Sequence, residues 1–364
     1  MNPFQLPFIA CFLSVFLNYG FLVNAQNTTV PSGTQAVSKA ILATPTPELP
    51  DLSSCNGYKE LCRREYDKVS YATTHNSFAL SPNPAGNQNF PIQTQLQDGV
   101  RALMLDIHTS LSDPKVLELC HGDCNLLDAG PFVEGLKIVR QFLDNNPLEI
   151  ITIFLENFAV VEAAQVAEAF TSADLVKYTK IQPLNAAWPT LQEMIRNNTR
   201  LVVFIDDQAN YALYPWLLWE YDFVWETPYS IPVNSPYSCA IDRPKDVQKP
   251  MYVLNHFVFG QLNIGNGGFP IPAGSYAKIT NEDQLREHAI QCQNERNQVP
   301  NFITVDFYDV GNVFQVVAEF NNVTYVPRPR SSNPPQSPSN NLASYTLPNH
   351  IGIIFSFLPL VLVL

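Results

Sequence analysis

The chain has 364 residues, with 21 Lys and Arg against 33 Asp and Glu, a formal charge of −12 and a pI near 4.9. That balance excludes a general nucleic-acid role, which needs a basic face to replace phosphate counterions. An acidic chain that handles phosphate requires a metal ion or a few local cations. The length allows one barrel-sized core between terminal segments of different composition.

Residues 1–25 contain the apolar run Phe8 to Leu17, then Val23-Asn24-Ala25 with small residues at the minus-three and minus-one positions of a signal peptidase site. They read as a secretory leader ending before Gln26, since the apolar run falls short of the roughly 20 residues that span a bilayer. Residues 26–54, rich in Thr, Ser, Pro and Ala, and residues 326–341, rich in Pro, Ser and Asn, read as linkers. Residues 342–364 join a polar spacer, Leu342 to His350, to the uncharged tail Ile351 to Leu364. With the small residues Ser339-Asn340-Asn341 before it, this is the order of a glycosylphosphatidylinositol (GPI) attachment signal, which places the mature protein on the outer leaflet.

Cys11 falls in the leader, and Cys55, Cys62, Cys120, Cys124, Cys239 and Cys292 remain. An even number in an exported chain reads as disulfides. Close spacing favours Cys55 with Cys62 and Cys120 with Cys124, leaving Cys239 with Cys292, although the sequence permits other connectivities. A zinc site is disfavoured because paired C-x-x-C spacings are missing. Sequons stand at Asn27, Asn197 and Asn322.

Between residues 55 and 325 apolar runs recur: Val69 to Thr73, Arg101 to Ile107, Val116 to Cys120, Glu149 to Leu155, Leu201 to Ile205, Phe223 to Trp225, Met251 to Leu254 and Phe302 to Val305. Helical patterns, such as Gly130 to Asn145 and Gln165 to Thr171, separate several of them. Alternating buried strands and helices predict an α/β fold, an irregular TIM-type (β/α)8 barrel. The irregularity lies between Arg101 to Ile107 and Val116 to Cys120, which are too close for an intervening helix. Polar residues close nearly every run: His75 and Asn76, Asp106 and His108, His121, Glu156 and Asn157, Asp206 and Asp207, Glu226, Asn255 and His256, and Asp306. Barrel active sites are built at such strand ends. Two imidazoles on different strands, His75 and His121, suit a reaction in which one group takes a proton and another gives one.

Four segments in order, Thr74-His75-Asn76-Ser77, Gly99 to Asp106, Cys120-His121-Gly122 and Ile151 to Asn157, resemble the catalytic half of phosphatidylinositol-specific phospholipase C of the X-domain type. Pro189 to Glu193 followed by Leu201 to Ile205 resembles the next segment. The resemblance implies a distorted barrel that cleaves a phosphodiester by attack of a neighbouring hydroxyl, with His75 as general base and His121 as general acid. Asp306 would orient His75 through its second ring nitrogen. Asn76, Asp106 and Glu156 match positions that hold calcium in metal-dependent members.

Two departures stand out. Met104 replaces a carboxylate of the calcium-dependent members, which leaves a weak Ca²⁺ site, and His108 stands where metal-independent members place arginine. Asp206 and Asp207 occupy a strand end where relatives present Lys or Arg to the inositol ring or its phosphates. Carboxylates there disfavour a polyphosphorylated headgroup and suit an inositol phospholipid without extra phosphates, or a glycosylated one. The rival readings are a cell-surface binding protein on the same barrel without turnover, and a glycerophosphodiesterase, which needs a Glu-x-Asp metal pair that Met104 interrupts.

Overall fold

The computed structural model describes residues 52–264 and 267–328. The leader, most of the first linker, nearly all of the second and the C-terminal tail lie outside them. The strands are β1 (Tyr71–Thr74), β2 (Ala102–Thr109), β3 (Leu117–Cys120), β4 (Asp128–Pro131), β5 (Ile151–Glu156), β6 (Leu201–Ile205), β7 (Leu217–Trp219), β8 (Val224–Glu226), β9 (Met251–Asn255), β10 (Phe259–Ile264), β11 (Gly267–Pro272) and β12 (Phe302–Val305). The helices are α1 (Ile92–Asp98), α2 (Phe132–Asn145), α3 (Ala163–Ser172), α4 (Leu191–Arg196), α5 (Glu220–Phe223), α6 (Ala277–Ile279), α7 (Leu285–Arg296) and α8 (Val313–Phe320).

Parallel pairing joins β7, β6, β5, β2, β1, β12, β9 and β8 in that order. The two end strands, linked by α5, are not paired with each other, so this TIM-type barrel is open along one seam. Seven of its strands fall on the apolar runs of the sequence. The run at Val116 to Cys120 is the exception: β3 lies antiparallel to β2 and turns back again into β4. A parallel crossover needs a dozen or more residues, whereas a short connection permits only an antiparallel return. The eighth barrel strand is instead β7, three residues that follow a loop of aromatic and polar side chains.

Strand alternation sorts the core into two sets. Leu103, Leu105, Ile153, Val203, Leu254 and Ile303 pack with Leu136, Val139 and Leu143 of α2 and Val166 of α3. The alternate positions, Ala102, Met104, Phe154, Val202, Phe204, Val253 and Phe302, pack inside the barrel with Tyr66 and Trp188 across its bottom. Continuing that second set to the strand ends reaches Asp106, Glu156, Asp206, Glu226, Asn255 and Asp306, and on β1 His75. The period of two therefore aims these side chains at the barrel mouth.

Arg101 is buried against the ring of Phe142. Its Nε donates to Glu149 at 2.8 Å and its Nη1 to the carbonyls of Leu96 and Val100 at 2.8 and 2.7 Å, a structural ion pair at the start of a barrel strand. The disulfides are Cys55–Cys62, Cys120–Cys124 and Cys239–Cys292, the favoured pairing. The second closes the loop that carries His121. The third fastens the long β8–β9 connection to α7. Asn197 and Asn322 are exposed, as glycan acceptors must be.

His256 and His288 have structural surroundings. Both are buried, with their Nδ1 atoms 3.0 Å apart, and Nε2 of His256 donates to the Thr280 carbonyl at 2.8 Å. Burial holds His256 down at about 3 and His288 at about 4. Below the ordinary value of about 6.5 the unfolded chain gains protons that this pair refuses, so the pair costs stability progressively as pH falls toward those values. Urea midpoints measured from pH 7 to 4 should decline, and a His288→Gln variant should decline less steeply than the wild type.

Candidate active site

His75 follows β1 and is fixed on several sides. Its backbone N–H donates to the Val305 carbonyl at 3.1 Å, its carbonyl accepts from Gln88, and its ring lies flat on Phe257 with centroids 3.9 Å apart. Nδ1 of His75 donates to Oδ1 of Asp306 at 2.9 Å, and Nδ2 of Asn87 donates to the same oxygen at 3.0 Å. This places the ring proton on Nδ1 and leaves Nε2 as a lone-pair acceptor.

His121 stands 6.5 Å from His75, centroid to centroid, with the two rings nearly perpendicular. Its Nδ1 donates to the Ala85 carbonyl at 2.6 Å. Asn76 joins it to β2. Asn76 Oδ1 faces the two Asp106 carboxylate oxygens at 2.9 and 3.1 Å, and its Nδ2 lies 3.2 Å from Nε2 of His121 and donates to Oδ1 of Asn87 at 3.3 Å. The backbone of Asn76 has φ of 43°, a left-handed conformation that Asn adopts more readily than most residues and that turns the chain sharply off β1. Burial lowers the pKa of His121, while the Ala85 carbonyl opposes that shift by stabilising the imidazolium. Burial raises Asp106 well above the carboxylate range, with Glu156 and Asp206 adding to the effect and Arg243 acting against it.

A third group occupies the far side. Nη2 of Arg243 lies 3.1 Å from Glu156 and 2.9 Å from Glu226, and Nδ2 of Asn255 donates to the same Glu226 oxygen at 3.0 Å. The guanidinium lies over the Tyr229 ring, 4.4 Å from its centroid. Burial alone would weaken the charge of Arg243, but Glu226 and Glu156 outweigh it and hold the group protonated. Glu220 behind this pair is buried and its pKa is raised, first by burial and then by Glu226.

These groups line one cavity of about 420 Å³ at the strand ends, with His75, Asn76, Asp106, His121, Glu156, Arg243 and Asp306 in its wall. Phe257, Tyr229 and the β10–β11 hairpin, through Gln261, Ile271 and Pro272, form its apolar side. Of the residues singled out from the sequence, His75, His121, Asp306, Asn76, Asp106 and Glu156 meet here. His108, Asp206 and Asp207 are not in the wall. His108 stacks on Phe158, Asp206 accepts from the Asn157 backbone N–H at 2.9 Å and is pushed up to about 6 by burial, and Asp207 is exposed. Asn87, Arg243 and Phe257 were missed: the first two sit in loops without periodicity, and Phe257 reads as an ordinary apolar residue.

Of the three positions matched to calcium, Asn76 turns its oxygen toward the Asp106 carboxylate, one oxygen of Glu156 is taken by Arg243, and Met104 offers no hard donor. The oxygens of Asn76 and Asp106 and the second oxygen of Glu156 are hard donors of the kind calcium takes, and water or substrate would supply the rest of the about six to eight it binds.

Residues 61–321 match the family model described as PI-PLC X 1. The chain belongs to the PI-PLC X-domain family. An "uncharacterized secreted protein" of Arthroderma benhamiae is 34% identical over 331 residues, covering 85% of this chain and 74% of that protein. A "PI-PLC X domain-containing protein 1" of the same organism is 30% identical over 280 residues, covering 74% of this chain and 90% of its own. The phosphatidylinositol-specific phospholipase C of Listeria monocytogenes aligns over 72% of this chain and 96% of its own, with 14% identity and a TM-score of 0.49.

The Asn76 bridge gives a direct test. An Asn76→Asp substitution puts a carboxylate against Nε2 of His121, and an opposite charge favours the imidazolium. The His121 pKa, followed by NMR of the ring protons, should rise relative to the wild type.

Proposed function

We propose that this PI-PLC X-domain protein is a secreted phosphoric diester hydrolase that cleaves an inositol lipid to a cyclic phosphate and a diacylglycerol-type alcohol. The observation that carries this reading is the pair of imidazoles facing one cavity, one anchored by a carboxylate and the other by a backbone carbonyl. With its Nδ1–H held in the hydrogen bond to Asp306, His75 takes the proton of the attacking ring hydroxyl at Nε2. The hydroxyl oxygen forms a bond to phosphorus and the bond from phosphorus to the glycerol oxygen breaks. His121 gives its Nε2 proton to the departing alkoxide.

The carboxyl groups of the wall support a headgroup without additional phosphates: Asp106, Glu156 and Asp306 outnumber Arg243, and their oxygens accept hydrogen bonds from ring or sugar hydroxyls. A glycosylated inositol lipid meets the same requirement. Secretion is supported by the leader, by the three disulfides and by the name of the Arthroderma benhamiae relative. The C-terminal tail supports a GPI anchor. Among the described residues no helix is long and apolar enough to cross a membrane.

Phosphatidylinositol vesicles supply the assay. His75→Ala and His121→Ala should each lower kcat by about 10²- to 10⁴-fold, the range of general acid–base catalysis. Asp306→Asn should lower kcat with an unchanged melting temperature. His121 must be protonated to act as the acid and burial lowers its pKa, so kcat/KM should fall as pH rises through a value below 6.5. An alkaline optimum would overturn the assignment of His121 as the acid. A wild type that releases no cyclic phosphate from inositol lipids, glycosylated or not, would favour a binding protein on this barrel.

A further inference from the structure

The proposed reaction needs two imidazoles held at one separation, each with Nε2 toward the cavity, since a misplacement of about 1 Å can cost about 10²-fold in rate. Both are held from one place. The loop between β1 and α1 is exposed at Pro84 and at Asn89, yet residues 85–88 between them are buried. A loop seldom enters the interior, because its backbone polar groups must then find partners there. Here those partners belong to the site. The Ala85 carbonyl accepts from Nδ1 of His121 at 2.6 Å, and the Asn87 carbonyl accepts at 2.8 Å from the backbone N–H of Phe307, the residue after Asp306.

The side chains continue the pattern. Nδ2 of the buried Asn87 lies 3.2 Å from Nδ1 of His75 and donates at 3.0 Å to Oδ1 of Asp306, the oxygen that also accepts from His75. Gln88 clamps the backbone of the same two strand ends, donating to the carbonyls of His75 at 2.7 Å and Val305 at 3.2 Å. Two donors on one carboxylate oxygen fix where that oxygen lies, and hence how the His75 ring points.

Gly86 sets the spacing between the two anchors. A Cβ added there would stand against the Leu80 carbonyl carbon and 2.5 Å from the Ser81 nitrogen. These are backbone atoms, and the backbone around them is tied to this segment: the Ser81 N–H donates to the Gln88 carbonyl and the Asn87 N–H to the Ala79 carbonyl, both at 2.9 Å. A side chain at position 86 must therefore push residues 85–87 aside, moving the Ala85 carbonyl and the Asn87 amide together.

We propose that residues 85–87 are the positioning element of this site: the Ala85 carbonyl sets the His121 ring, the Asn87 amide sets the His75 ring through Asp306, and the bare Gly86 backbone sets the distance between them. Their effect on turnover rests on the phosphodiesterase reading above. Their effect on the two rings does not.

The test uses the full-length chain isotopically labelled at the histidine nitrogens, with NMR at about pH 8, above the ordinary histidine value, beside the phosphatidylinositol vesicle assay. In the wild type the hydrogen-bonded Nδ1 protons of His75 and His121 should give resolved downfield signals, assigned with His75→Ala and His121→Ala. Asn87→Asp keeps the size of the side chain but removes the donor and sets a carboxylate beside Asp306. Asn87→Asp and Asn87→Ala should each lose the His75 signal to exchange with water and lower kcat by about 10- to 10²-fold, with KM within about twofold. Gly86→Ala should displace the His121 signal and lower kcat likewise. Melting curves verify that each variant is folded, and if Gly86→Ala does not fold, the two Asn87 variants decide. A wild type without these signals, folded Asn87 variants that keep the His75 signal or lose in KM rather than kcat, or a folded Gly86→Ala with an unmoved His121 signal would each overturn the proposal. If the wild type releases no cyclic phosphate, the hydrolase reading fails, and the two proton signals still decide the positioning assignment.

Discussion

The mouth of this barrel depends on the two-residue period of its strands. An inward row that is apolar at depth, such as Ala102 and Met104 on β2 or Phe154 on β5, becomes polar at the next inward position, Asp106 or Glu156. Packing below locks each row in register: Asp106 pairs with Glu156 across β2 and β5, just as Met104 pairs with Phe154. A one-residue slip of either strand would turn the carboxylate outward and an apolar side chain toward the mouth. The hydrophobic interior thus fixes the chemistry above it, and Thr152, which accepts or donates to the Tyr66 hydroxyl at 2.6 Å, continues the same row at the bottom.

Charge balance at the mouth follows from crowding. Asp106, Glu156, Glu226, Asp206 and Glu220 gather where desolvation penalises each anion, and one guanidinium lies among them. The structure distributes the cost unevenly. Glu156 and Glu226 share Arg243, while Asp106, Asp206 and Glu220, lacking an ion pair with it, have raised pKa values. Asp106, the one of these three in the cavity wall, can lower the pocket's negative charge by taking up a proton, which limits the repulsion that an incoming phosphodiester anion would meet.

Much of this was legible in the sequence. Seven barrel strands announce themselves as apolar runs, and the polar residues that close them include His75, Asp106, Glu156 and Asp306, all of which reach one cavity. The strand β7 was not legible because three residues carry no period. His108 and Asp206 show why strand-end position alone is insufficient. Both continue inward rows, but the first stacks on Phe158 and the second accepts the Asn157 N–H. Those contacts come from loops whose paths are set by tertiary packing. Arg243 was hidden for the same reason: its partner Glu156 is 87 residues away in sequence.

The local departures from the metal-dependent pattern meet on the same carboxylates. Met104 removes a hard ligand and adds an apolar side chain to the interior row, below a buried Asp106 whose pKa is raised first by that burial. Asn76 sets its amide between Asp106 and His121, and Glu156 holds a guanidinium from the opposite wall. The amide contact and the arginine bridge therefore connect the ends of β1, β2, β5 and β8 through side chains, so the groups of the mouth are positioned in linked pairs rather than one residue at a time.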